Sequence, residues 1–264
     1  MIVDVDARLT YRFPRPTEVL LMVEAAEGGD QTILSAALVV SPMTTLVRKD
    51  APDGEARGVI FTATGDVDIR YQATVETLDR LQSLDGLGAH AIRDLPPEVV
   101  PYLRPSRYCP SDTFEEMAKR QFAGLHGGHL AQAILDWVQA NLAYRAGVST
   151  AHSTAADTYD ARAGVCRDFA HLAITLCRAV DLPARAVSAH AWALDPPDMH
   201  AVVEVFLEGA WRLADPTGLA PVNGLVRVAS GRDAADIAFL SVFGEAELLH
   251  QSFQTSSPLR AAAE

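Results

Sequence analysis

Gly164-Val165-Cys166-Arg167-Asp168-Phe169-Ala170-His171-Leu172 opens an apolar stretch that runs to Val180 and is closed by Leu182-Pro183. A proline disfavours helical backbone in the residue before it, so a helix is expected from about Cys166 to Val180. Gly164 permits an abrupt start. Cys166 then stands in the first turn, where unpaired backbone N–H groups and the helix dipole favour a thiolate. The same N–H groups are natural donors to an oxyanion. The position alone also suits a small buried residue, because free cysteine is among the most buried residue types. Cys177, deeper in the helix among apolar neighbours, is expected in the core. His171 lies about 140° around the helix from Cys166, so it does not point at the thiol and is expected to pack or to face solvent.

Two further polar residues lie downstream. His200–Leu207 reads as a strand, Glu208-Gly209 as a turn and Ala210–Ala214 as the return strand, ending at Asp215-Pro216-Thr217-Gly218. A two-residue loop pairs Leu207 with Ala210 and, counting back, Val202 with Asp215. His200 shares the face of Val202, since strand side chains alternate. His200 and Asp215 are then diagonal neighbours, about 7–8 Å apart at the backbone, a span that one hydrogen bond closes. A slip of one residue would put them on opposite faces. Taken singly, Asp215 is an ordinary turn residue before proline and His200 a strand-end histidine. With Cys166 they form the order that acyl transfer through sulfur needs. The thiol attacks, the imidazole takes and returns a proton, and the carboxylate holds the imidazole in one orientation.

Composition fits a catalytic protein of one large or two small domains. The chain has 264 residues, 49% hydrophobic and 21% charged, with a formal net charge of −12. That charge speaks against a nucleic-acid surface. The basic residues are nearly all arginine, with lysine only at Lys49 and Lys119. No basic start followed by an apolar segment marks a signal peptide, and no apolar run is long enough to span a membrane, so a cytoplasmic location is expected. Cys109, Cys166 and Cys177 do not form a disulfide framework. On one helix Cys166 and Cys177 would lie roughly 16 Å apart, against a limit of about 7 Å for a bridge. No Cys-x-x-Cys occurs, and neither a metal nor another cofactor is expected. The two histidines of His126-Gly127-Gly128-His129 are expected on a glycine loop at the surface.

The chain changes character near residue 105. Val3, Val5, Ala7, Leu9, Tyr11 and Phe13 alternate with polar residues, as in a half-buried strand. Val19–Ala25, Ile33–Val40, Gly58–Ala63 and Asp66–Glu76 are further strand candidates. Gly28-Gly29-Asp30, Pro52-Asp53-Gly54 and Thr64-Gly65-Asp66 are turn signals between them. Pro96, Pro97, Pro101, Pro105 and Pro110 then mark a boundary. Beyond it the period becomes helical. Ser111 and Asp112 can cap a helix over Thr113–Leu125. Leu130–Tyr144 is a second helix with Leu130, Ile134, Trp137, Val138 and Leu142 on one face, and Thr154 can cap a third over Ala155–Arg162. Two units are expected, a β-rich one over 1–105 and a core carrying the chemistry over 106–264.

These segments resemble the transglutaminase-like superfamily, which shares the papain-like arrangement of cysteine enzymes. The resemblance covers roughly residues 105–245. It rests on Ile134–Trp137, Leu142–Tyr144, Ala163–Leu172, Cys177–Val187, His200–Phe206, Trp211, Asp215-Pro216-Thr217 and Gly231–Asp236. It implies an α+β fold, with the cysteine helix packed on an antiparallel sheet and a small β-domain before it, as in bacterial members. It implies Cys166 as nucleophile, His200 as base and Asp215 as orienting carboxylate. The family's usual His-Ala-Trp is here His200-Ala201-Val202. A His-Ala-Trp occurs at His190-Ala191-Trp192, but only His200 is linked by register to Asp215. His190 and Trp192 are therefore expected to line the cleft, and Tyr144 and Trp137 are candidates for a second oxyanion donor.

The expected activity is acyl transfer on a peptide or protein amide, with hydrolysis favoured. Transamidation of glutamine, or a non-catalytic binding module on the same fold, are the alternatives. An intact Cys-His-Asp set argues against the last.

Overall fold

The structure is a computed structural model that describes residues 1–50 and 56–258. The chain opens with strands β1 (Ile2–Leu21), β2 (Gln31–Ser41), β3 (Val47–Asp50) and β4 (Arg57–Thr77). Helices α1 (Glu115–Gln121) and α2 (Gly127–Asn141) follow. Then come strand β5 (Ala143–Tyr144), helix α3 (Ala155–Ala161), strand β6 (Ala163–Gly164) and helix α4 (Cys166–Ala179). Strands β7 (Ala184–Ala191), β8 (Met199–Leu207), β9 (Ala210–Ala214) and β10 (Leu225–Gly231) come next. The chain closes with α5 (Ala234–Ile237), β11 (Leu240–Val242) and β12 (Glu247–Ser256). Among the described residues no helix is long and apolar enough to cross a membrane.

The second half is the expected α+β arrangement. Strands β10-β7-β8-β9 form an antiparallel sheet in that order. Helix α4 lies across it, burying Leu172, Leu176 and Ala173 against Val203, Val205 and Leu207 of β8 and Ala184 and Ala186 of β7. Helices α1 and α2 close the other side of α4 with Ala118, Phe122, Ile134 and Val138. Thr154 caps α3 as expected. Its Oγ1 accepts from Asp157 N, while the Asp157 carboxylate accepts from Thr154 N at 2.7 Å. Both contacts satisfy N–H groups that a helix start leaves open.

The first half departs from the sequence expectation in continuity. The alternation of Val3 to Phe13 is buried as expected, but it belongs to a strand that continues to Leu21. Thr64-Gly65-Asp66 makes no turn; β4 passes through it. Phe13 pairs with Gly65 and Thr17 with Ala63, so Pro14, Arg15 and Pro16 bulge opposite Thr64 alone. Proline cannot donate to the ladder, and Gly65 takes a φ of 68°, so the pair absorbs the irregularity without ending either strand. The Pro52-Asp53-Gly54 signal lies outside the described residues.

The last strands of the chain return to the sheet that its first residues build. β11 pairs antiparallel with Val19–Leu21 of β1, and β12 with Asp4–Arg12. Residues beyond 240 thus complete the N-terminal sheet rather than the unit of 106–264. The two sheets are tied together. Gln31, 3% exposed, donates to the carbonyls of Ala26 and Arg227 and accepts from Arg227 N. Asp30 takes Arg80 and Arg227, and Glu204 takes Arg185 and Arg227.

Two helices start differently from expectation. Ser111–Thr113 forms a separate 3-10 turn, and α1 begins at Glu115 with no side-chain cap. Helix α2 begins at Gly127, so His126-Gly127-Gly128-His129 is not a loop; its glycines are buried in the first turn. A Cβ on Gly128 would lie 1.7 Å from the Leu84 carbonyl oxygen, and one on Gly127 2.5 Å from that of Leu87. The glycines let the helix start press against the backbone leading out of the N-terminal sheet. Gly128→Ala is therefore expected to lower unfolding free energy by about 1–3 kcal/mol or more, read from urea denaturation.

Candidate active site

Cys166 is placed by the carboxylate of Asp168, two residues along the same first turn of α4. The Asp168 side chain is fully buried. Oδ2 accepts from Val165 N at 2.8 Å and from Ser149 Oγ at 2.5 Å. The first contact closes the start of α4, which has no other side-chain cap. Gly164 is required here, since a Cβ would come within 2.5 Å of the Asp168 Cβ. Arg167 donates to the Thr150 carbonyl at 2.9 Å, so the loop before α3 is also tied to this turn. Strands β5 and β6 pair in parallel with Tyr144 opposite Gly164. That register brings the Tyr144 phenol beside Cys166. Burial and the neighbouring thiol push the phenol up to about 12.

The hairpin register matches the expected one, with Leu207 opposite Ala210 and Val203 opposite Ala214. His200 Nε2 lies 2.9 Å from Asp215 Oδ2, with both side chains almost wholly out of water. The remaining lone pairs of Asp215 are taken. Oδ1 accepts from Thr217 N at 2.9 Å and Thr217 Oγ1 at 2.7 Å, and Oδ2 also accepts from Ala220 N at 3.0 Å. A carboxylate so saturated orders the ring rather than taking its proton. Burial works to raise Asp215, but the His200 ring and the Thr217 donors outweigh it and lower its pKa. Burial likewise works to lower His200. The hydrogen bond with Asp215, the Cys166 thiol and the charge of Asp215 prevail and raise it to about 9. Nε2 faces the carboxylate, and Nδ1 has no hydrogen-bond partner among the described residues. The ring is left with one unbonded nitrogen, with the Cys166 thiol nearby.

Cys166 and His200 open into one cavity of about 300 Å³. Its walls are Met199 and Ala201 of β8, Ala234 and Ile237 of α5, and Phe239 and Leu240 beyond α5. Ser188 of β7, Tyr108, Ala151, Arg167 and Ala238 also line it.

The other expected site residues divide. Tyr144 reaches Cys166. Trp137 does not; it stacks on Tyr159 at 6.1 Å with the Arg162 guanidinium over its ring, as part of the helical packing. His190 does not line the cleft. It is buried where the two sheets meet, with Nε2 2.8 Å from the Val23 carbonyl and its ring stacked on Tyr71 at 5.9 Å. Burial lowers it to about 4, so it is held neutral. Trp192 is also absent from the cavity. Its backbone N–H bonds the Gly224 carbonyl and its side chain packs over Gly224. His171 is packed, stacked on Tyr108 at 5.0 Å, and its Nε2 accepts from Ala234 N. Burial pushes the Cys109 and Cys177 thiols up to about 12, which leaves them inert at neutral pH. Among the described residues no group of three or more His, Cys, Asp or Glu is placed to hold a metal ion.

Sequence reasoning missed three contributors. Asp168 was visible in the cysteine segment as a residue three positions past the helix start, the capping spacing that identifies its role. Thr217 stood in the Asp-Pro-Thr segment, at the spacing of an Asx turn. The Ala234–Leu240 wall carried no local signal, because only the return of the chain to the N-terminal sheet brings it over the cysteine.

Residues 117–216 match the family described as the transglutaminase-like superfamily. The chain is similar to a solved structure titled "Putative Cysteine Protease" from Cytophaga hutchinsonii, 37% identical, covering 98% of this chain and 91% of that one at a TM-score of 0.90. It is 32% identical over 149 residues to an uncharacterized protein of Mycobacterium leprae, a match spanning 52% of each chain. The periplasmic domain of TgpA from Pseudomonas aeruginosa is 15% identical at a TM-score of 0.41, over 83% of this chain and 90% of that one.

The raised His200 value has a consequence for stability. Its value of about 9 in the folded state lies above the ordinary 6.5, so the protonated ring stabilises the fold fully below pH 6.5. That contribution is lost as pH rises through about 9. Urea melts across this range are expected to show a loss of stability in the wild type that His200→Gln lacks.

Proposed function

The chain belongs to the transglutaminase-like superfamily, and from that premise we propose that it is a cysteine-dependent enzyme that hydrolyses amide bonds of peptides or proteins. The observation that carries the proposal is the helix-start Cys166 sharing a cavity with His200, whose far nitrogen is held by Asp215. The 37% identical structure called a "Putative Cysteine Protease", matched over nearly the whole chain, favours hydrolysis over crosslinking.

The chemistry follows from the geometry. The Cys166 proton passes to His200, and the thiolate attacks the substrate carbonyl carbon. A C–S bond forms as the carbonyl π pair moves to oxygen. The Cys166 N–H at the start of α4 and the Tyr144 hydroxyl are the donors nearest that oxyanion. When the intermediate collapses, the C–N bond breaks and the amine leaves with the proton from His200. The product is a thioester. Water then gives a proton to His200 and attacks the thioester carbonyl. The C–S bond breaks, the carboxylic acid departs and the thiolate is restored.

Turnover of peptide amides is expected to vanish in Cys166→Ala and in His200→Ala, and a thioester adduct on Cys166 is expected by mass spectrometry after acid quench. Product analysis in the presence of a primary amine distinguishes the two acyl acceptors. Free carboxylate as the main product supports hydrolysis, whereas amide to the added amine would establish transamidation instead. Tyr144→Phe, read by kcat with the fold intact, is expected to cost about 10²-fold, the usual loss for one oxyanion donor.

A further inference from the structure

The cavity beside Cys166 has a chemistry of its own. At about 300 Å³ it is at the small end of ligand pockets, a size for a large side chain rather than an extended molecule. Its walls are methyl, methylene and ring surfaces from Met199, Ala201, Ile237, Phe239 and Leu240. Arg167 is the one permanently charged residue among the described lining residues. Its Nη2 is engaged by the Thr150 carbonyl, Ser149 Oγ and the Asp168 carboxylate, at 2.9, 3.3 and 3.4 Å. It is thus tied through Nη2 to the loop that holds the Cys166 turn, while its Nε has no hydrogen-bond partner among the described residues. An ammonium taken into this cavity would lose its water and meet the like charge of Arg167, and a carboxylate would lose its water among mostly apolar walls with only a guanidinium already shared with the Ser149–Thr150 loop to face it. An apolar side chain gains on entering, in proportion to the surface it removes from water.

One polar feature departs from this lining. Ser188 is 6% exposed, lines the cavity, and its hydroxyl has no hydrogen-bond partner among the described residues. It stands one residue along β7 from Ala189, which pairs with His200. A buried unpaired hydroxyl is unfavourable, and a bound peptide's backbone N–H or C=O would satisfy it.

We propose that this cavity is a specificity pocket for one large, uncharged, apolar side chain on the acyl side of the scissile amide, of the leucine, methionine or phenylalanine class, with Ser188 bonding the backbone of the same peptide. The proposal rests on Cys166 being the nucleophile.

Peptidyl chloromethyl ketones test it without requiring the natural leaving group. The Cys166 thiolate displaces chloride, forming a C–S bond as the C–Cl bond breaks, and the labelling rate is read by mass spectrometry. The last two residues of the reagent are varied one at a time among Leu, Met, Phe, Gly, Asp and Lys. The expected result is labelling about tenfold or more faster for Leu, Met or Phe than for Asp or Lys at one of the two positions. Ala238→Phe and Ala151→Phe each fill the cavity from a different wall, Ala151 from an exposed loop, and circular dichroism shows which variants fold. Either folded variant is expected to collapse that preference. Rates that do not distinguish the side chains, a preference for Asp or Lys, or a preference that survives filling would overturn the pocket. Iodoacetamide, too small to need the cavity, separates the two claims. Rapid alkylation of Cys166 without side-chain selectivity leaves the nucleophile standing and removes the pocket. Alkylation of Cys166 no faster than in urea-unfolded protein removes the nucleophile, and the pocket with it.

Discussion

A 2.9 Å contact between His200 and Asp215, made almost entirely out of water, is the constraint on which the site depends. Burying either group alone is unfavourable, and removing one partner of such a pair costs about 3–5 kcal/mol. The structure meets that cost by saturating Asp215 with donors from Thr217 and Ala220 and by leaving one imidazole nitrogen toward the thiol. The register of a five-residue return strand decides whether the contact exists at all. The tight Glu208-Gly209 turn supports that register, with both residues in the left-handed region at φ 51° and 74°.

A second carboxylate sets the opposite wall. Asp168 closes the helix start, takes the Ser149 hydroxyl and excludes any side chain at Gly164. Cys166 is therefore held by the helix behind it and by the turn before it, while His200 is held by the sheet. The parallel pairing of β5 with β6 adds Tyr144 from a third direction. In the acyl transfer proposed for this site, preorganisation of this kind would cost nothing at the moment of reaction, because the groups are already oriented.

The N-terminal sheet does more than precede this core. Its β1 is completed by β11 and β12 from the far end of the chain, and the residues leading into β11 form a cavity wall. His190, which matches the family tripeptide better than His200 does, is spent on this junction, bonded to Val23 and stacked on Tyr71. Burial leaves it neutral, and the Val23 carbonyl and the Tyr71 ring fix its orientation.

Local pattern alone determined the cysteine helix, the His200–Asp215 hairpin and the capped α3. Each is governed by neighbours a few residues away: a proline that stops a helix, a two-residue turn that sets a register, a threonine three residues before an aspartate. The alternation of Val3 to Phe13 showed a half-buried strand for the same reason, though not its length, since proline and glycine look alike as turn or bulge until the opposing strand is known. Tertiary structure alone decided what depends on distant partners. Gly127 and Gly128 read as a loop until Leu84 and Leu87 press on them. Trp137, His190 and Trp192 have the residue types of a cleft and the surroundings of a core. The strands beyond residue 240 joined the first sheet because β1 offered an unpaired edge, and the backbone hydrogen bonds that fill such an edge leave little trace in side-chain pattern.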